Sequence, residues 1–304
     1  MSRRGMAAIG IAVLWLSGLA ALERREMQRG PAQQVAEAAL LVEPGAAYFR
    51  VTEGDAHVGF AASVIDTATA AITSSDVMVT IAPEGTAPHA LRMDGRYSRG
   101  LRLHELTVQE SDGTHDVTAH AAMMSDSLLH VVVTRGTAQR TVDTSTYIVT
   151  RPLLLPSMVP AILALGQRLH PGVSRRMLVF DPAAMRPRLV DVRVAAESLF
   201  VVADSARAVS STGQWEPALT DTVRAWRVQA AGMPLLAGWI DAGGRVVELR
   251  PLHGTMRVTR TPYELAYLNW SDRAAVGLDA LGVAPQQAPR RRAHRHTTTH
   301  LPRP

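Results

Sequence analysis

The sequence predicts a mainly β protein: one antiparallel curved sheet or half-barrel with a single covering helix, preceded by a single transmembrane helix. Three observations support this prediction. Apolar and polar residues alternate with period two over much of the stretch from Tyr48 to Thr261. Turn signals separate these stretches at short intervals. An uncharged run of 18 residues lies near the N-terminus, between charged residues.

Composition limits the possible functions. The chain has 304 residues and a net charge of +5, with 47% hydrophobic and 5% aromatic residues. It contains no cysteine, which excludes disulfides, thiolate catalysis and cysteine zinc sites. All 32 cationic side chains are arginine, and several of them cluster at 290–292 and 295 in the C-terminal tail. Without that cluster the body is near neutral, so we expect no specific nucleic-acid partner.

The N-terminal run 5–22 is expected to be a transmembrane signal anchor. Its 18 residues span about 27 Å as a helix, which is just enough to cross the core of a bilayer. Gly18-Leu19-Ala20 offers a cleavage site, so a cleaved signal peptide stays open as an alternative, as does a buried core helix. Arginines flank the run on both sides and give little orientation signal. We expect the large domain to lie outside the cytoplasm, in the periplasm.

The linker that follows carries a short predicted helix from Gln33 to Leu41, which Pro44-Gly45 ends.

The body of the chain is then predicted to form short strands. One irregularity is expected: the alternation from Leu101 to Val108 is kept only if one residue bulges near His104-Glu105. Strands are predicted at Tyr48–Thr52, His57–Asp66, Val77–Ile81, Leu101–Val108, Val117–Met123, Leu128–Thr134, Thr137–Asp143, Val190–Ala195, Leu199–Val202, Val223–Val228, Leu235–Asp241, Val246–Leu252 and Met256–Thr261.

The covering helix is predicted from Ser157 to Leu169. Its prolines, Pro156 and Pro160, fall at the start, where a first turn tolerates them, and Pro171-Gly172 closes it. The predicted organisation is a basic N-terminus 1–4, a signal anchor 5–22, a linker with a short helix 23–46, a half-barrel domain 47–270 and a disordered tail 271–304 rich in Arg, His, Thr and Pro.

Several motifs occur in an order that marks a resemblance. They are Leu22–Glu26, Tyr48–Val51 with Val58-Gly59, Pro152–Pro156, Phe180–Pro182, Arg224–Val228, and Trp239–Asp241 with Gly244–Val246. In these features the chain resembles the β-rich domain that precedes the catalytic core in bacterial membrane-anchored transglutaminase-like proteins. That domain is itself similar to the half-barrel of periplasmic lipoprotein carriers. The resemblance spans about residues 5–270 and implies a fold and an envelope location.

The resemblance does not carry an activity to this chain. The transglutaminase-like core uses a cysteine nucleophile with histidine and aspartate, and this chain has no cysteine. We therefore predict no enzyme activity, no catalytic, cofactor-binding or metal-binding residue, and no cofactor. The expected partners are a membrane through 5–22, a protein such as a transglutaminase-like envelope protein, and, as an alternative, a lipid or acyl chain in the half-barrel. An uncharacterised hydrolase is the remaining alternative.

The histidines and acids are candidates for chemical sites, but structural roles are expected for them. Four histidines lie in one group of strands, but no pair among them has a strong ligand spacing, and three more lie in the tail. Three acids stand within two residues of Gly or Pro, where a turn explains them. Four tryptophans are expected to pack within the fold. The residues are His104, His115, His120, His130, His294, His296, His300, Asp55, Asp181, Asp241, Trp215, Trp226, Trp239 and Trp270.

Overall fold

Fifteen strands of the described chain form one continuous sheet in the computed structural model. The structure describes residues 44–68, 71–81, 88–136, 140–165, 168–233, 236–250 and 255–274, with isolated positions 15, 17, 18 and 42. The strands are β1 Gly45–Glu53, β2 Ala56–Thr67, β3 Ala71–Thr80, β4 His89–Ser98, β5 Leu103–Ser111, β6 Asp116–Met123, β7 Leu128–Arg135, β8 Thr141–Ile148, β9 Leu153–Leu154, β10 Ser174–Asp181, β11 Arg186–Ala208, β12 Trp215–Ala230, β13 Gly238–Asp241, β14 Val246–Leu249 and β15 Met256–Arg260.

The sheet is built almost wholly from neighbours in sequence. Its order is β8-β7-β6-β5-β4-β3-β2-β1-β15-β14-β13-β12-β11-β10-β9. Every pairing is antiparallel except that of β9 with β10. The first and last strands therefore meet in the middle of the sheet, where Phe49 pairs with Arg260. The edges are β8 and β9, which follow one another in the chain.

Helices are few among the described residues. Helix α1, Met158–Ala164, lies on the concave face, and a π-helix at Glu264–Leu268 continues into α2, Asn269–Ala274. Met158, Val159, Ile162 and Leu163 of α1 are all buried and belong to the main hydrophobic core with strands β3–β7 and β9–β13. The mainly β fold is thus confirmed, and α1 covers part of the sheet as predicted.

Several element predictions are confirmed in detail. The hairpin of β1 and β2 turns at Gly54, in the left-handed region. The bulge expected near His104 is present, because Arg96 pairs with Glu105 and Tyr97 pairs with Leu103, which leaves His104 without a cross-strand partner. The turn after β13 also lies where it was predicted.

Other boundaries were wrong. The covering helix ends at Ala164 rather than Leu169, because Leu165 is already extended. The strands predicted at Val190–Ala195 and Leu199–Val202 are one strand, β11. The strand predicted at Thr137–Asp143 starts later, at Thr141. The predicted tail boundary at 271 falls inside α2.

The membrane anchor lies largely outside the described residues, although 15, 17 and 18 are helical. No helix within the described part of the chain reaches the length and hydrophobicity that a membrane crossing requires. The linker helix at 33–41 and the arginine and histidine cluster of the tail also fall outside the described residues.

Candidate functional site

A buried carboxylate fixes the start of helix α1 to the sheet. Asp76 lies on the concave side of β3 and accepts hydrogen bonds from the hydroxyls of Ser63 at 2.6 Å and Ser157 at 2.5 Å. Burial raises the pKa of Asp76 to about 6; the two hydroxyls oppose this shift and the charge of Asp94 adds to it. Asp76 thus links β2, β3 and the residue before α1, and no ion pair of Asp76 is found among the described residues.

The segment that leads into α1 is held by a second buried group. The Leu155 N–H donates to the hydroxyl of Tyr97 at 3.2 Å, and burial raises the pKa of Tyr97. Gly95 makes room for this contact, since a Cβ there would lie 2.9 Å from both Leu155 Cδ1 and Tyr97 Cε2. The concave side of β3 and β4 is therefore shaped around the chain entering α1.

A second carboxylate, Asp241, organises the turn between β13 and β14. It accepts from the backbone N–H groups of Gly243 and Arg245 at 3.0 Å, and from the side chains of Arg245 and Arg260 at 2.9 Å. Burial pushes the pKa of Asp241 up, but these donors and the two positive charges outweigh it, so the pKa is lowered. The turn predicted at Asp241 is confirmed. Its ion pairs with Arg245 and Arg260 were not predicted from the sequence.

This turn is in direct contact with helix α1. Gly244 has a φ of +74°, and a Cβ at that position would lie 2.5 Å from Ala161 Cα and 2.6 Å from the Pro160 carbonyl oxygen. The helix therefore rests on the sheet at its start through Asp76 and at its middle through the turn of Asp241. The concave space around α1 is filled by side chains.

Ser157 is partly buried, and its hydroxyl donates to the carboxylate of Asp76. This hydrogen bond connects the residue before α1 to β3.

The distal halves of β11 and β12 form an arm with two different faces. One face carries Phe200, Val202 and Val223, which pack against Trp239 and Val247 of β13 and β14, with the rings of Phe200 and Trp239 5.0 Å apart. On the opposite face Leu199 and Val201 are 64% and 72% exposed.

The far end of the arm is tied to the C-terminal helices. Asn269, the single asparagine of the chain, accepts from the Trp215 N–H at 2.8 Å and donates to the Trp215 carbonyl at 2.7 Å. Two ring contacts bind the same helices to the outer face of β1 and β2: Tyr263 contacts Tyr48 and Trp270 contacts Phe60. The arm is thus held at both ends, and its exposed face is presented on a fixed support.

A cavity of about 520 Å³ lies at one end of strands β4–β7, mainly on their outer face. Its lining is mixed and mostly polar, which is unlike the apolar lining of an acyl-chain site. The lining includes Arg92, Gln109, Glu110, Asp116, Thr118 and Arg140.

The histidines considered as metal ligands are spread over the described strands. His115 sits in a turn beside Asp112, His120 contacts Thr107 across β5 and β6, and His104 is the bulge residue. Among the described residues, no three His, Asp or Glu side chains come together as a metal site. His294, His296 and His300 lie outside the described residues.

The predicted turn positions of the aspartates and the predicted packing of three tryptophans are confirmed. Asp181 accepts hydrogen bonds from the N–H groups of Ala183 and Ala184 where β10 ends, and Asp55 lies in the β1–β2 turn. Trp226, Trp239 and Trp270 pack in three apolar clusters, and Trp215 is partly buried.

The role of Asp76 was missed by the sequence reasoning. The predicted strand starts at Val77, and the alternation of Val77, Val79 and Ile81 puts Asp76 on the opposite face from these apolar side chains. The sequence alone therefore carried no signal that this carboxylate is buried. The partners Ser63 and Ser157 are 13 and 81 residues away and carry no local signal.

Comparisons with known proteins find little. No family model matches the chain, and no curated protein matches it. Among solved structures, the chain is similar to the β-barrel-like protein of a domain of unknown function, DUF1849, from Brucella abortus. The identity is 14%, the match covers 71% of this chain and 95% of that chain, and the TM-score is 0.45. A likeness at this level carries no argument about function, and the transglutaminase-associated resemblance gains no support from it.

Proposed function

We propose that the chain is a non-catalytic binding module, tethered to a membrane by residues 5–22 with its β domain outside the cytoplasm. Its exposed arm face, Leu199 and Val201, recognises a protein partner. One observation carries the proposal: an uninterrupted apolar run of strand β11 is covered on one face only.

The run is Leu199-Phe200-Val201-Val202-Ala203. Uninterrupted apolar strands are typical of sheets covered on both faces, whereas a strand with one solvated face alternates with polar residues. Here Phe200 and Val202 face the covering strands β13 and β14, while Leu199 and Val201 face solvent. Exposed neighbouring apolar side chains on a rigid support are characteristic of interaction sites.

The surroundings of the exposed arm face have the composition of an interface. On β12, Arg224 stands opposite Leu199 and Thr222 opposite Val201. Arg224 also pairs with Glu197 at 3.3 Å. An apolar centre with a polar rim suits a protein surface of matching shape. A transglutaminase-like envelope protein, named by the sequence resemblance, is one candidate.

Site-specific photo-crosslinking of the full chain in cells tests the proposal. A photoreactive residue at Leu199 or Val201 is expected to give one discrete adduct, and the same residue at exposed Arg102 is expected to give none. The double change Leu199→Asp and Val201→Asp should abolish co-purification of the adduct partner. Because both side chains are exposed, its free energy of unfolding should change by less than about 0.5 kcal/mol per site. Equal adducts at all three positions would contradict the proposal.

Acyl-chain binding is a second candidate, supported by the other part of the concave face. Around Phe49, Val51, Val58 and Val258 lie partly buried apolar side chains that the helix-filled core does not include: Ala47, Ala61, Met78, Leu249 and Met256. Native mass spectrometry of the full chain would show a co-purifying lipid, and Ala61→Trp should displace it. A lipid-free protein rejects this candidate.

A further inference from the structure

Strand β8 is a long edge of the sheet that the described residues form. In the described part of the chain it pairs with β7 alone, in a register of eight residue pairs without a bulge. Natural edge strands are usually protected by proline, a charged side chain, a bulge or short length. β8 has eight residues and no proline or bulge, and its one charged side chain, Asp143, is paired with Arg135 of β7. Its sequence is Thr-Val-Asp-Thr-Ser-Thr-Tyr-Ile.

The alternation of hydrogen bonds along β8 shows which backbone groups point away from β7, in the plane of the sheet. The N–H of Val149 donates to the carbonyl of Ser127, just before β7, at 2.8 Å. The backbone N–H and C=O groups of residue 149, and of every second residue before it, therefore point toward β7. The N–H and C=O groups of Val142, Thr144, Thr146 and Ile148 therefore point away from the sheet. The side chains of Val142 and Ile148, at its two ends, are 61% and 78% exposed.

These outward residues are arranged symmetrically about Ser145. A second copy of β8, antiparallel and related by a two-fold axis through Ser145, places Val142 opposite Ile148 and Thr144 opposite Thr146. Both pairings are favourable in antiparallel sheets, and together they use every outward backbone group of the four residues, in about eight hydrogen bonds. Ser145 then faces its own copy.

Charge permits the same arrangement. The one charged residue of β8, Asp143, comes opposite Tyr147 of the second copy rather than its own equivalent. It is already in contact with Arg135 of β7. No like charges therefore meet across the axis.

We propose that β8 is a self-association edge, which joins two copies of this chain into one continuous sheet with a closed two-fold interface centred on Ser145. The occupant is a second copy because the strand is complementary to itself in hydrogen-bond parity, apolar ends and charge. This proposal is independent of the arm face, which lies at β11 and β12.

The absence of cysteine from the chain allows a clean crosslinking test. In the full chain, Ser145→Cys should form an intermolecular disulfide under mild oxidation, because the Cα atoms of a non-hydrogen-bonded antiparallel pair lie about 4.5 Å apart. The matched control is Thr141→Cys, on the same strand and face, whose two copies would be separated by about 26 Å. Disulfide formation by both variants at equal rates, or by neither, overturns the proposal.

Proline at the edge separates strand pairing from association through any other part of the chain. Thr144→Pro removes an outward N–H and leaves the bonds to β7 in place. Thr144→Ala keeps the backbone donor and is the control. Sedimentation of the full chain in detergent should show dimers for the wild type and Thr144→Ala, and monomers for Thr144→Pro. A wild-type monomer, or a Thr144→Pro dimer, overturns the proposal.

Discussion

The two carboxylates that hold helix α1 are both nearly inaccessible to solvent, and their pKa values shift in opposite directions. Asp76 is 8% exposed and Asp241 is 3% exposed. Asp76 accepts hydrogen bonds from two hydroxyl groups, and burial raises its pKa to about 6. Asp241 contacts two arginines and two backbone amides, and its pKa is lowered. The comparison shows that the charge of the partners, rather than depth alone, decides the favoured protonation state of a buried acid.

The largest effect is expected from removing Asp241, the carboxylate that is held in its charged form by two arginines. Asp241→Ala would leave Arg260, whose side chain is 16% exposed, without its carboxylate. Breaking a buried ion pair on one side costs about 3–5 kcal/mol, and denaturant unfolding would measure it. Arg245→Ala is the control, because the Arg245 side chain is 73% exposed and its pair is worth less than about 1 kcal/mol. Equal losses in both variants would contradict the comparison.

The next effect concerns pH and Asp76. Burial raises its folded-state pKa to about 6, above the 3.8 of an aspartate in the unfolded chain. The folded state therefore binds the proton more tightly, so this stability is complete below pH 3.8 and is lost as pH rises through 6. The loss is about 3 kcal/mol. Asp76→Asn removes the titration, so the stability of the wild type relative to this variant should fall between pH 4 and pH 7.

The smallest effect tests the contact between the Asp241 turn and the helix. Gly244→Ala adds a Cβ against the backbone of Ala161 in a left-handed conformation, which we expect to cost about 1–3 kcal/mol. The adjacent Gly243→Ala is the matched control. Its added Cβ would find its nearest neighbour at 3.4 Å, an ordinary contact. Thermal unfolding at one pH distinguishes the two, and an equal shift in Tm would show that the turn does not press on α1.

The sequence predicted those features that depend on local pattern. Alternation identified most strands, and it located the bulge at His104 because that residue interrupts an otherwise regular series of leucines and valines. The helix prediction extended too far, to Leu169, because Leu165 and Leu169 continue a helical spacing of apolar residues. In the structure the helix ends at Ala164 and Leu165 is extended. Chain contacts override propensity there.

The features that make up the sites depend on distant residues. Ser157 is 81 positions from Asp76, and Arg260 is 19 positions from Asp241. The exposure of Leu199 depends on which side of β11 strands β13 and β14 cover. The run at Leu199–Ala203 appeared simply as a strand in sequence, because period counting does not show which face is covered.

The pairing of β1 with β15 also governs how the domain assembles during translation. The central ladder of the sheet cannot form until Arg260 has been synthesised, because Arg260 pairs with Phe49 and lies about 210 positions later in the chain. Contacts of such long sequence separation slow folding, because the chain loses the entropy of closing a long loop before these contacts can stabilise it. Two local meanders, β1–β8 and β10–β15, are expected to form first, and their joining is the late step. A ribosome-bound chain that lacks Met256–Arg260 would keep β1 unpaired on that side, available to chaperones.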